Sequence, residues 1–242
     1  MKTILITGAS SGIGRATAEL FLAEGWTVGL LARRSDLLDD MAAGQARAIP
    51  LAADVTEPEA VEAAFDRFCM QTGRLDVLFN NAGIFAPGGT IDEIALDDWY
   101  RSVNVNLNGM FLCARAAFAR MRRQEPQGGR IINNGSIAAH APRPNSVHYT
   151  ATKHAITGLT RSLSLDGRGF GIAAGQIDIG NARTDIVESL NKAVLEQGRV
   201  PDPTMAVEDA ARSVLHMASL PAEANVLFMT VMATTMPYVG RG

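Results

Sequence analysis

The chain of 242 residues carries a formal net charge of −3, is 47% hydrophobic and 19% charged, and holds two cysteines. This balance excludes a disordered or collagen-like chain, and without a basic stripe it disfavours nucleic acid, leaving small molecules as the expected partners. No run of eighteen apolar residues is free of charge, and Cys69 and Cys113 form neither a CxxC pair nor a His-flanked cluster, so neither a membrane partner nor a metal site is expected.

The N-terminal MKTILITGASSGIG lacks the apolar core and cleavage site of a signal peptide and enters a strand at once, which predicts a cytoplasmic protein. The first strand, TILIT at 3–7, leads through TGASSGIG at 7–14 into a helix near 13–24. A glycine turn in that context reads as a dinucleotide cradle. Gly8 permits a tight turn, Gly12 lets the backbone approach a pyrophosphate, and Gly14 allows close packing of helix on strand. The helix N-terminus then faces the anion with free N–H groups. The second strand, TVGLLA at 27–32, ends in LLARRSD. An acid there would accept a ribose hydroxyl, whereas arginine suits a 2′-phosphate. Ala32 followed by Arg33 and Arg34 therefore favours NADP(H), with NAD(H) left open.

Further along, strands are predicted at 48–53, 75–80, 129–134, 171–177 and 225–231, and helices near 35–43, 57–72, 97–122, 148–166 and 206–219. Strands alternating with helices imply right-handed βαβ crossovers. The expected fold class is α/β: one domain over 1–242, doubly wound, with a parallel sheet of about seven strands and helices on both faces. The irregular stretch 180–205 is read as a substrate loop, a lid with a short helix whose Ile186, Val187 and Leu190 supply an apolar wall.

Tyr149 and Lys153 stand one turn apart on the helix near 148–166, on one face. With TGASSGIG, ADV at 53–55, NNAG at 80–83, NVNLNG at 104–109 and GSIAA at 135–139, in that order, the chain resembles the short-chain dehydrogenase/reductase family over nearly its whole length. The match is to the shorter, NADP-preferring branch. The resemblance implies a Rossmann fold and an enzyme that interconverts a carbonyl compound and an alcohol by hydride transfer. It implies a catalytic tetrad of Asn106, Ser136, Tyr149 and Lys153. It further implies that the cofactor lies against Gly8, Ser10, Ser11, Gly12, Ile13, Gly14, Arg33, Arg34, Asp54, Val55, Asn81, Ala82, Gly83, Tyr149, Lys153, Gly180 and Thr184. Asp54 would meet the adenine, Lys153 the nicotinamide ribose, and Thr184 the carboxamide. Asn106 would hold water in a proton relay to Lys153. Pairing through the two long helices would give a homodimer or homotetramer.

The chemistry also follows from charge. Hydride delivery to a carbonyl leaves negative charge on oxygen, so the site needs a proton donor and a hydrogen-bond donor there. Tyr149 can supply the proton, Lys153 can stabilise the phenolate of a phenol whose free pKa is about 10, and Ser136 at the end of the fifth strand can orient the carbonyl. A non-catalytic dinucleotide sensor on the same fold would have little use for this pair. The chain departs from the family pattern at Ile179, where many relatives carry proline before the retained Gly180. Its MATTMPYVGRG finish sets it apart from the ketoacyl-carrier reductases, towards the NADP-dependent group acting on small hydroxy acids and varied carbonyl compounds. His140, Arg143 and His148 are the polar candidates at the substrate opening, with Arg143 suited to a carboxylate.

Overall fold

The computed structural model describes residues 2–239 except Gln197; the side chains of Ile186 and Ala193 also lie outside the described set. Strands β1 (Thr3–Thr7), β2 (Thr27–Ala32), β3 (Ala48–Ala52), β4 (Val77–Asn80), β5 (Gly129–Asn134), β6 (Ile172–Gly180) and β7 (Phe228–Met232) form one parallel sheet in the order β3-β2-β1-β4-β5-β6-β7. The expected Rossmann sheet is therefore present. Its central strands read as apolar runs because both faces are covered; every residue of β1 is buried.

Helices α1 (Gly12–Ala23), α2 (Ser35–Ala42), α3 (Pro58–Thr72), α4 (Leu96–Val103), α5 (Met110–Arg123), α6 (Val147–Gly167), α7 (Asp185–Glu196) and α8 (Val207–Ser219) complete the chain. On one face α1 and α8 bring Phe21, Val214 and Met217 against the sheet, with Leu38 of α2 beside them. On the other, α3 and α5 bring Phe65, Phe68, Cys113 and Met121. α3 shows how local signals set an element: Pro58 opens it, where a missing N–H costs nothing, and Gly73 closes it in the left-handed region at φ 77°.

Three elements differ from the sequence reading. The helix expected near 97–122 is interrupted by a π-helical segment, Asn104–Gly109, between α4 and α5. β6 extends three residues further, because Ile179 keeps the N–H that proline lacks, so it and Gly180 pair with Val231 and Met232. β7 starts at Phe228, three residues later than expected, after the turn at 221–223.

The strand order reverses between β1 and β4, which opens a crevice at the carboxyl ends of the strands. The loops after β1, β4, β5 and β6 meet there.

Candidate functional site

A cleft of about 390 Å3 occupies this crevice. Gly8, Ser10, Ser11, Gly12, Ile13, Arg33, Arg34, Asp54, Val55, Asn81, Ala82, Gly83, Ser136, Tyr149, Lys153 and Thr184 all line it. Asn106, Gly14 and Gly180 do not. Gly14 lies under the turn, where a Cβ would collide with the Gly8 carbonyl. Gly180 faces β7, and a Cβ would come within 2.7 Å of Met232 Cβ.

The glycine turn fits an anion. Gly8 and Gly12 adopt φ +67° and +54°, which only glycine takes readily, and α1 begins at Gly12 with its N–H groups toward the cleft loops. Beside it Arg34 Nη2 donates to Ser10 Oγ at 2.9 Å and to Ser11 Oγ at 3.1 Å. Arg33 is exposed, 3.9 Å from Asp54. Asp54 Oδ1 accepts from the N–H and the hydroxyl of Thr56, which fixes its rotamer at the cleft rim. Two guanidiniums and two hydroxyls thus gather beyond Ala32, where no acid stands.

At the other end α6 carries Tyr149 and Lys153 across the ends of β5 and β6. Lys153 is buried, and its Nζ donates to the Asn134 carbonyl at 2.7 Å. Burial pushes its pKa down to about 8, against an opposing effect from the Asp178 charge. Nζ also sits 5.6 Å from the centre of the Tyr149 ring. Tyr149 is half-buried with Phe85 packed on its ring, centroids 5.1 Å apart. Burial raises its pKa above the ordinary phenol value, while the Ser136 hydroxyl and the Arg143 charge pull the other way. Ser136 Oγ accepts from the Ala138 N–H at 3.1 Å, and its hydroxyl is the hydrogen-bond partner that lowers the Tyr149 pKa.

The remaining candidates sit differently. Asn106 is fully buried in the π-helical segment, its Oδ1 accepting from the Ile84 N–H at 2.7 Å and its Nδ2 donating to the Ile84 carbonyl at 3.0 Å. The side chain therefore holds the loop after β4. His148 is buried rather than at an opening, with Nε2 3.1 Å from the Ala86 carbonyl. His140 turns to Asp178, its Nε2 2.8 Å from Oδ2. Arg143 does line the cleft, and its Nη2 donates to Asn181 Oδ1 at 2.7 Å and lies 3.5 Å from Asp202 Oδ2. Val187 and Leu190 of α7 face the cleft as expected; the Ile186 side chain lies outside the described residues.

Two residues of the site carried no signal in the sequence reading. Asn134 receives Lys153 on its carbonyl and donates from Nδ2 to Asn81 Oδ1 at 2.8 Å. Asp178 is wholly buried beneath Ser136. Among the described residues no His, Cys, Asp or Glu cluster is placed to hold a metal ion, and no helix is long and apolar enough to cross a membrane.

A family model described as short chain dehydrogenase matches residues 2–195. The chain is 35% identical over 191 residues to a 3beta-hydroxysteroid dehydrogenase of Mediterraneibacter gnavus, covering 77% of this chain and 68% of the relative. It is 30% identical over 237 residues to sulfoacetaldehyde reductase 2 of Chromohalobacter salexigens, covering 96% and 94%. A solved 3-ketoacyl-(acyl-carrier-protein) reductase from Brucella melitensis, complexed with NADH, superposes with a TM-score of 0.85 at 25% identity over 96% of each chain.

Asn106→Leu strips the Ile84 backbone of both partners while keeping an apolar volume. It should destabilise the protein by about 1–3 kcal/mol in urea unfolding; an unchanged midpoint would mean that water replaces the amide.

Proposed function

The chain belongs to the short-chain dehydrogenase/reductase family of oxidoreductases, and on that premise we propose that it reduces a small carbonyl compound to an alcohol, or runs the reverse, with NADPH preferred. The observation that carries this reading is that Ser136, Tyr149 and Lys153 line the same cleft as the glycine turn. Residue chemistry and cofactor cradle share one cavity.

Gly8, Gly12 and the N-terminus of α1 would hold the pyrophosphate, and Asp54 with the Asn81–Gly83 backbone would flank the adenosine. Arg34, already steered by Ser10 and Ser11, and Arg33 would meet a 2′-phosphate, whose bidentate oxygens suit guanidinium. Bound NADPH would supply the hydride. Ser136 would turn its hydroxyl proton from Tyr149 to the carbonyl oxygen and so orient it. Tyr149 would release its phenolic proton to that oxygen as the C=O bond becomes C–OH. Lys153 keeps two ammonium protons beyond the one given to Asn134, enough to grip ribose hydroxyls while favouring the phenolate left on Tyr149. Since the Asn106 side chain is committed to Ile84, the relay role implied by the resemblance falls to its main chain.

The reading extends to a single domain in the cytoplasm, with which two free thiols accord. It also includes a homodimer or homotetramer: the faces of α5 and α6 present Phe111, Phe118, Leu159 and Leu163 around a shallow groove. Light scattering at micromolar concentration should give a multiple of the 25.7 kDa chain mass; the mass of one chain would remove that part.

Two measurements test the chemistry. Oxidation of NADPH against a panel of aldehydes, ketones, ketoacids and quinones should show turnover that Tyr149→Phe lowers by about 100-fold or more. Near-normal activity in that variant would refute the role of Tyr149, and silence across the panel despite tight NADPH binding would favour a dinucleotide sensor. Dissociation constants for NADPH and NADH, compared between wild type and Arg33→Ala, should show the NADPH preference falling about tenfold. An unchanged ratio would reject the 2′-phosphate assignment.

A further inference from the structure

The mechanism above leaves one buried charge unused. Asp178 lies near the end of β6, wholly buried, and no motif of the sequence singled it out. Its Oδ1 accepts from the Ser136 N–H at 2.9 Å and from Gln176 Nε2 at 2.7 Å. Its Oδ2 meets His140 Nε2 at 2.8 Å. Two N–H donors thus converge on Oδ1 and an imidazole nitrogen lies against Oδ2, so both oxygens are engaged. The fit is close: a Cβ on Gly135 would collide with Oδ1.

A buried charge is retained only where its surroundings compensate it, since desolvation costs several kcal/mol. The strand geometry says where this one points. Gln176 and Asp178 lie two residues apart and so share a face of β6. Gln176 bonds Thr157 and Thr160 of α6, so that face is the one α6 covers. The opposite face carries Ile177 and Ile179 into the core with α1 and α8. The groups facing Asp178 can therefore be named. His140 lies against it from the loop after β5, α6 carries Tyr149 and Lys153 on the covered side, where the Asp178 charge opposes proton loss from both, Arg143 lines the same cleft, and β7 brings Thr230 to the paired position.

We propose that Asp178 is a positioning residue for the reaction: its carboxylate fixes the main chain of Ser136, and its negative charge holds the Tyr149–Lys153 pair as phenol and ammonium. This rests on the roles given to Ser136 and Tyr149 above. A fixed negative charge in a low-dielectric site favours the protonated form of both neighbours. That form is the proton donor, so the device biases the site toward carbonyl reduction near neutral pH.

The test separates this device from the catalytic reading by a signal that needs no substrate. Ultraviolet absorbance of phenolate, followed against pH, is recorded for wild type and for Tyr149→Phe; their difference isolates Tyr149 from Tyr100 and Tyr238. The same pair is recorded on an Asp178→Asn background, and again with Asp178→Ser. Circular dichroism at each pH confirms the fold. Both uncharged residues should move the Tyr149 midpoint to lower pH by about half a unit or more. Where the carbonyl panel yields a substrate, the alkaline limb of NADPH oxidation should move the same way, because Tyr149 and Lys153 both lose protons sooner. An unmoved Tyr149 midpoint in folded variants would overturn the proposal. Failure of both variants to fold would assign Asp178 to stability alone and overturn it equally. If Tyr149→Phe proves active, the catalytic reading falls, while the titration still reports whether Asp178 sets the charge state.

Discussion

The Lys153 ammonium is 3% exposed, and Nζ donates to the Asn134 carbonyl at 2.7 Å, so the fold holds a cation where burial has pushed its pKa down to about 8. That carbonyl is itself placed by a relay of hydrogen bonds across the sheet. Thr7 Oγ1, at the end of β1, accepts from the N–H groups of Asn81 and Ala82, both at 2.8 Å. Asn81 Nδ2 returns a bond to the Thr7 carbonyl at 2.9 Å, and Asn81 Oδ1 accepts from Asn134 Nδ2 at 2.8 Å. The ends of β1, β4 and β5 are thus tied to one another and then to α6 through a single charged group. Buried networks of this kind strengthen one another and are costly to interrupt. The glycine turn that follows Thr7 and the lysine that follows Tyr149 belong to one frame, so the proposed phosphate cradle and proton donor would keep a fixed separation.

The electrostatics of that frame run in sequence from α6 to the protein's outside. Asp178 lies behind Ser136, Lys153 and Tyr149 lie between it and the cleft, and Arg143 stands at the rim. The Lys153 ammonium is met by a carbonyl, and Asp178 by two N–H groups and an imidazole, so these buried polar ends are satisfied within the site rather than by solvent. The arrangement also divides labour between the two strands. β5 supplies the carbonyl that receives the ammonium, and β6 supplies the carboxylate that holds the serine turn. The hydroxyl and phenol that would touch a substrate are thereby positioned from behind.

Much of this was legible in the sequence because the informative residues are contiguous. The parallel strands are buried on both faces and so appear as apolar runs, and the glycine turn and the Tyr149–Lys153 pair lie within short windows. What was missed depends on contacts distant in sequence. Asp178 and Ser136 are 42 residues apart, and Asn134 acts on Lys153 through its carbonyl, an atom every residue has. The π-helical segment left no mark on the apolar pattern of residues 97–122. Its logic is three-dimensional: Gly109 must pass close to Val55, where a Cβ would come within 2.8 Å of Cγ2, while Asn106 turns inward onto Ile84. His148 read as a polar candidate at an opening because its polarity concealed full burial, with Nε2 against the Ala86 carbonyl. Arg143 was visible as a rim cation, but its ties to Asn181 and Asp202 were not.

Those ties bear on how a substrate would be chosen. The lid leaves the sheet at Asn181, in the left-handed region at φ 51°, which asparagine tolerates. It returns at Met205, whose N–H donates to the Asn181 carbonyl at 3.0 Å and whose carbonyl accepts from Arg183 at 2.9 Å. The two stems are therefore clasped, and Arg143 braces them from the loop after β5. Within the clasp α7 begins with its own support, as Thr184 Oγ1 accepts from the Val187 N–H at 3.3 Å. With the base clasped, closure entropy grows only slowly with what lies inside the loop. Val187 and Leu190 can then reshape the substrate wall while Asn134, Lys153 and the glycine turn keep their geometry. On the proposed reading, chemistry and selectivity would occupy separate parts of the chain, with the clasped part, where side-chain type names no particular molecule, facing the substrate.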